Sequence, residues 1–145
     1  MSLFSILSVS ASGMAAQRTR AALLVENLAN SETTRTPEGG PYRRKDAVFS
    51  AESVGSAFGA ALDEQMNAPL SGVTVSGIRV DTREPERRYL PGHPDADKDG
   101  YVAMPRMNPA EDMVDLMNAT RSFQANASAM TAIKDMIQHS IDLLR

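Results

Sequence analysis

Toward the C-terminus the chain repeats seam residues at alternating steps of three and four: Met113, Leu116, Thr120, Phe123, Ala127, Met130, Lys134, Ile137, Ile141 and Leu144. That is a heptad seam with two polar interruptions, and it predicts one helix from Asn108 to Arg145. Asn108 suits the cap, and Pro109 suits the first helical position, where its missing N–H has no intrahelical partner anyway. Glu111 stands where a capping-box carboxylate belongs. Such a helix is about 55 Å long, more than a compact domain of this size can surround, so it calls for a partner along its length.

The N-terminus carries a matching pattern at Leu3, Leu7, Ser10, Met14, Gln17, Ala21, Leu24 and Leu28. With a middle segment that reverses the chain, the two helices are expected to pair antiparallel as a two-stranded coiled coil. Periodicity alone leaves open an ordinary helical hairpin core. Apolar residues remain outside both seams: Phe4, Ile6, Val9, Leu23 and Val25 in the first helix, Val114, Ile133, Met136 and Leu143 in the second. Contiguous apolar surface of that extent is unusual on a soluble monomer, and the expectation is that these termini assemble with other hairpins. Around Gly13 the first helix is almost all small residues, which reads either as close helix approach or as a kinked turn.

The middle of the chain reads as loops and short strands. The helix is expected to close around Asn27–Asn30, with Asn taking the left-handed conformation. Thr36 to Pro41 interrupt regular structure, and Arg43, Arg44 and Lys45 read as a solvated face or a contact for an acidic partner. Ala47–Glu52 is a short strand with Val48 buried, residues 51–65 stay ambiguous, and Gly72–Asp81 is the clearest strand. In it the alternation of Val73 and Val75 resumes at Ile78 and Val80 after an extra residue at Ser76-Gly77, the mark of a β-bulge. Arg87–Leu90 supplies a further strand before a Pro-Gly turn. The expected fold class is mainly α with a small β insert. Residues 1–30 and 109–145 form the helical domain, and 31–108 the linker loops and β lobe.

Composition narrows the chemistry. Aromatics at 5%, no Trp and 145 residues argue against a large globular core. A net charge of −3 with scattered basic residues gives no footprint for nucleic acid. The absence of Cys removes disulfides, thiolate metal sites and Cys nucleophiles together. No apolar run is long enough to span a membrane. Leu3–Val9 resembles the core of a signal peptide, but without a basic flank and with its pattern continuing to Leu28 it reads as helix.

One metal motif is tempting. Asp95, Asp97, Asp99 and Gly100 match the first half of an EF-hand loop, yet position twelve is Arg106 and Pro105 precedes it. The competing reading is an Asp-rich turn whose side chains bond their own backbone, with Gly100 at positive φ. A calcium-responsive binding module is therefore the alternative function. His93 and His139 lack a nucleophile or ligand spacing around them, the sequons at Asn118 and Asn126 fall within the predicted helix, and Gly39-Gly40 lacks the flanks of a phosphate loop. No catalytic, cofactor-binding or metal residue is expected.

Several runs go further than class. Ser12-Gly-Met-Ala-Ala-Gln-Arg-Thr-Arg20, Glu26-Asn-Leu-Ala-Asn30 and Gly39-Gly-Pro-Tyr-Arg-Arg-Lys45 resemble the rod proteins of the bacterial flagellar basal body. Gly92-His-Pro-Asp-Ala-Asp-Lys-Asp-Gly-Tyr-Val102 and Arg121-Ser-Phe-Gln-Ala-Asn126, leading to Lys134, resemble the proximal-rod members of that family. Thr131 and Arg106-Met107 depart from the family pattern, which expects an Asn near the first and Asn-Val at the second. The resemblance implies an axial structural protein, exported uncleaved by the flagellar type III apparatus and built into the periplasm-spanning rod that transmits motor torque. Its partners would be other rod proteins and copies of itself, with no cofactor. The expected assembly seam and interface comprises Leu3, Phe4, Leu7, Met14, Leu24, Asn27, Leu28, Asn30, Met113, Leu116, Phe123, Asn126, Met130, Ile137, Ile141, Leu143 and Leu144.

Overall fold

The computed structural model describes residues 3–53 and 71–143. Along the chain run α1 (Leu3–Ala29), β1 (Lys45–Ser53), β2 (Ser71–Val80), β3 (Glu86–Tyr89), β4 (Tyr101–Met104) and α2 (Pro109–Asp142). Two long helices thus enclose a β insert of two antiparallel pairs, β1–β2 and β3–β4.

Helix α2 starts as its sequence dictates. Asn108 is extended, its side chain accepts from the Ala110 N–H at 3.1 Å, and Pro109 follows. Glu111 and Asp112 add negative charge to the first turn, where the helix dipole favours it. The end of α1 departs from expectation. Among the described residues only glycines have positive φ, at 39, 40 and 100, so no Asn is left-handed. Instead the Asn30 backbone N–H reaches Glu26 O and Asn27 O, and its side-chain amide donates to Glu26 O at 2.9 Å. That amide satisfies a carbonyl the helix end would otherwise orphan.

The helices meet with Gly13 against Asn126, where an added Cβ would lie 3.1 Å from the Asn126 amide nitrogen. The small stretch around Gly13 is therefore a close approach inside an unbroken helix. The buried line on α2 is shifted from the expected seam. Leu116, Met130 and Ile137 keep their places at half burial, but Asp112, Ala119 and Ile133 are buried where Met113, Thr120 and Lys134 were expected. The one-residue shift brings two apolar side chains inward in place of Thr120 and Lys134. Its cost is at the start, where Met113 faces outward and a carboxylate takes its position. Phe123 and Ile141 are also exposed. With Gly13 opposite Asn126 and equal rise along both helices, Leu3 falls opposite about residue 136. Ile141 thus lies past Leu3, with no α1 backbone beside it.

The β-bulge falls where the alternation broke. Val48 opposes Gly77 and Phe49 opposes Val75, leaving Ser76 as the extra residue. Because of it, Val73, Val75, Ile78 and Val80 stand across from Ala51, Phe49, Ala47 and Lys45 and share one face. Val48 falls on the other face and is 42% exposed, against expectation. The sheet packs on α1: the Val73 N–H donates to Ser12 Oγ at 3.1 Å, and Lys45, opposite Val80, is held by Asn27. Fifteen residues of helix span about 22 Å, and the seven strand steps from Val73 to Val80 span about 23 Å. The sheet therefore lies lengthwise along α1, which explains why Leu23, outside the seam, is buried within the chain. Strand β4 was not foreseen, although Asp99-Gly100 followed by alternating Tyr101, Val102, Ala103 and Met104 is a hairpin signal. Its Val102 is among the most buried side chains described.

Candidate functional site: the junction of helices and sheet

Where α1 ends, β1 starts and α2 begins, directed polar contacts replace apolar packing. Asn27 is 0% exposed. Its side-chain amide donates to Lys45 O at 2.9 Å, while its oxygen accepts from the Lys45 N–H and the Tyr42 hydroxyl, both at 3.0 Å. The Asn side chain thus stands in for a neighbouring strand at the first residue of β1. Lys45 Nζ pairs with Glu26 at 2.6 Å and lies 5.7 Å from the centre of the Tyr42 ring. Burial, reinforced by the Glu26 carboxylate, pushes the Tyr42 phenol up to about 12, so it remains a donor to Asn27 throughout the physiological range.

One residue before the strand, Arg44 reaches across to α2. Its Nη2 is 2.9 Å from Asp112 Oδ1 and its Nε is 3.1 Å from Asp46 Oδ1. Asp112 is 1% exposed, and neither of its carboxylate oxygens accepts a well-directed hydrogen bond; the guanidinium is close but off the line such a bond needs. Burial raises the Asp112 carboxyl above the ordinary carboxylate range, with Asp46, Asp115 and Glu111 pushing the same way, and Arg44 alone among the named neighbours opposes the rise. One turn on, Arg20 of α1 meets Asp115 at 3.3 Å with both side chains partly in water. The basic run Arg43-Arg44-Lys45 is therefore no solvated face: two of its members pair with carboxylates of this same chain.

The Asp-rich turn is held by its own backbone. Asp97 Oδ1 accepts from the N–H groups of Asp99 and Tyr101 at 3.0 and 2.9 Å, and Oδ2 takes Arg87 at 2.7 Å. The two backbone donors hold the Asp97 carboxyl below its usual range, and Arg87 adds to that lowering. Gly100 has φ +81°, and a Cβ there would meet the Tyr89 ring at 2.8 Å. Asp95 accepts from Thr34 Oγ1 at 2.8 Å, tying the turn to the loop after α1. This is the Asx-type turn of the second sequence reading.

Among the residues expected in the assembly surface, Leu24 and Asn27 are buried, while Leu7, Met14, Leu28, Asn30, Leu116, Asn126, Met130 and Ile137 are half-buried. Met113, Phe123, Ile141 and Leu143 are exposed. The side chains of Leu3 and Phe4, and Leu144 entirely, lie outside the described residues. The partners of Asn27 are intramolecular. Tyr42, Arg44 and Asp112 were not foreseen as a site, and the seam carries no signal for it, since Met113 beside Asp112 is itself an apolar seam residue.

Residues 98–143 match the family described as flagellar basal body rod FlgEFG protein C-terminal. Over the whole chain, a flagellar basal-body rod protein FlgC of Bacillus subtilis is 41% identical, covering 99% of both chains. Proteins of the same name from Borreliella burgdorferi and Salmonella typhimurium are 36% and 35% identical, covering 100% and 99% of this chain and 99% and 98% of their own. The chain belongs to the FlgC family of flagellar basal-body rod proteins. As a FlgC-family member it is a structural component of the flagellar basal body and not an enzyme. Among the described residues no helix is long and apolar enough to cross a membrane.

Proposed function

We propose that this chain is a subunit of the proximal part of the flagellar rod, assembling with other rod proteins and with copies of itself through its terminal helices. In this reading α1 and α2 pair as an antiparallel coiled coil, residues 1–30 and 109–145 forming the rod-core domain and 31–108 the lobe. The subunit leaves the cytoplasm through the flagellar type III export apparatus, without signal-peptide cleavage, and transmits torque once in place. The observation that carries the reading is full-length similarity to rod proteins in a chain whose helices leave apolar residues in water. Val25, Val114, Met136 and Leu143 are all more than half exposed, and a head-to-tail contact that does not close on itself turns such surface into a helical stack.

The test is in cells. Leu143→Asp or Met136→Asp places a charge that is hydrated in the monomer and desolvated only against a neighbour. Basal bodies imaged by electron microscopy should lack completed rods, and swimming should be lost, while the purified variants keep the parent's circular dichroism. Normal rods and normal swimming in both variants would remove these faces from the interface.

A further inference from the structure

We infer that the contacts around Asn27 and Asp112 form a rigid three-way joint, which fixes the angle between the β1–β2 sheet and the helix pair and carries load from one to the other. The load-bearing part of the inference rests on the rod reading. A strand touching a helix through one side-chain contact is free to swivel about it. Here Asn27 holds both the N–H and the C=O of Lys45, which fixes the strand's direction as a ladder pair does. Tyr42 braces the same Asn oxygen from the preceding loop.

The second anchor is on the other helix: Arg44, next to Lys45 in the chain, meets the buried Asp112 of α2 at 2.9 Å and is shared with Asp46. The third is Ser12, which accepts from the Val73 N–H about 22 Å along α1 from Asn27. Three anchors that do not fall on one line remove the rotations that a single anchor permits. The chemistry of the Asn27 anchor also fits the task. Apolar packing tolerates sliding, whereas a buried amide paired on both sides loses all its bonds on a small displacement and has no water at hand to replace them.

The chain has no cysteine, so pairs of introduced cysteines take spin labels cleanly. Labels at Ala22→Cys on α1 and Glu52→Cys on β1, both exposed sites, report the sheet against the helix. Labels at Ala22→Cys and Gln124→Cys report helix against helix. In the purified full chain both distance distributions should be narrow. Asn27→Ala, and the milder pair Tyr42→Phe with Asp112→Asn in case the first does not fold, should broaden the sheet distribution at least twofold and leave the helix distribution unchanged. An unchanged sheet distribution overturns the joint. Broadening of both distributions together also overturns it, because the contacts would then support the fold at large and not the angle.

A second readout addresses load. Cells carrying the milder variant should build rods in normal number but lose speed more steeply than the parent as the medium is made more viscous. A parental speed–viscosity curve in cells whose purified subunit shows the broadened distribution overturns the load-bearing role. Neither readout depends on the exposed Leu143 and Met136 faces, so failure of the joint and failure of the assembly reading are told apart.

Discussion

Where α1 ends and α2 begins, Asn27, Tyr42 and Lys45 meet through hydrogen bonds of fixed direction and Arg44 stands 2.9 Å from the buried Asp112, whereas at the opposite end of the helix pair Met136, Ile141 and Leu143 lie more than half exposed. A buried polar group must find its partner inside the folded chain, because an unpaired one costs about 1–3 kcal/mol. An apolar group in water loses far less by waiting. The polar contacts of the junction are thus specified within one molecule, although Val25, Met113 and Val114 beside them are also more than half exposed. On the assembly reading the apolar end keeps its burial free energy for association, and the two ends should then answer to substitution in opposite ways.

The largest effect is expected at the junction. Arg44→Met leaves the Asp112 carboxylate buried without a cation, which should cost about 3–5 kcal/mol near pH 7. The sign of its pH dependence follows from the raised carboxyl of Asp112. The folded chain binds this proton more readily than the unfolded chain, so Asp112 favours folding increasingly as pH falls through its folded pKa toward the unfolded value. Removing Arg44 takes away the one named influence that opposes the rise, and the cost of the substitution should shrink on acidification. Urea unfolding at pH 7 and pH 5 measures both values; equal costs would contradict the burial of a charged Asp112.

Next in size is the packed seam between the two ends. Ile133 is buried, so Ile133→Ala should cost about 2–4 kcal/mol by urea unfolding, with a cavity left between the helices. Lys134→Ala, at the neighbouring exposed position, should be close to neutral. This pair checks the one-residue shift directly: the reverse ranking would restore the seam through Lys134.

That shift marks the limit of what the pattern could say. The helices, their order, the cap at Asn108 and the bulge at Ser76 were legible because each rests on local chemistry or on periodicity within one segment. The register of α2 was not, since Met113, Leu116 and Thr120 make as good a stripe as Asp112, Leu116 and Ala119. What accompanies the second is set elsewhere in the chain: Arg44, nearly seventy residues away, meets Asp112, and Ala119 and Ile133 turn inward in place of Thr120 and Lys134. The junction was hidden for the same reason. Nothing near Asn27 announces that its amide will pair with a strand beginning at Lys45, or near Arg43-Arg44-Lys45 that its acidic partners are Glu26, Asp46 and Asp112. Strand β4 is different: its hairpin signal was present and was outweighed by the Asp-rich stretch before it.

A smaller effect separates two ion pairs that look alike, about one turn apart on α2. Arg20 and Asp115 are each about one-third exposed, so Arg20→Met should cost no more than about 1 kcal/mol, and 0.5 M salt should remove most of the difference. The cost of Arg44→Met should be nearly unchanged by the same salt, because Asp112 is buried. Similar salt dependence at both sites would mean that the junction is wetter than its geometry requires.

The smallest effect on the monomer is expected at the open end, where it says most. Ile141 was expected on the seam from its spacing, yet it is 56% exposed because it lies past Leu3. Ile141→Asp should therefore change the stability of the isolated chain by no more than about 0.5 kcal/mol, the range of surface substitutions. Ile133→Asp, two turns earlier on the same helix, puts a charge between α1 and α2 and should unfold the chain or raise that carboxyl's pKa strongly. If the apolar end is reserved for neighbours, the two variants should both block rod assembly in cells while differing widely in circular dichroism and urea midpoint as purified chains. A large loss of monomer stability from Ile141→Asp would place that residue inside the hairpin after all. The contrast between a finished polar end and a waiting apolar end would then fail at its clearest point.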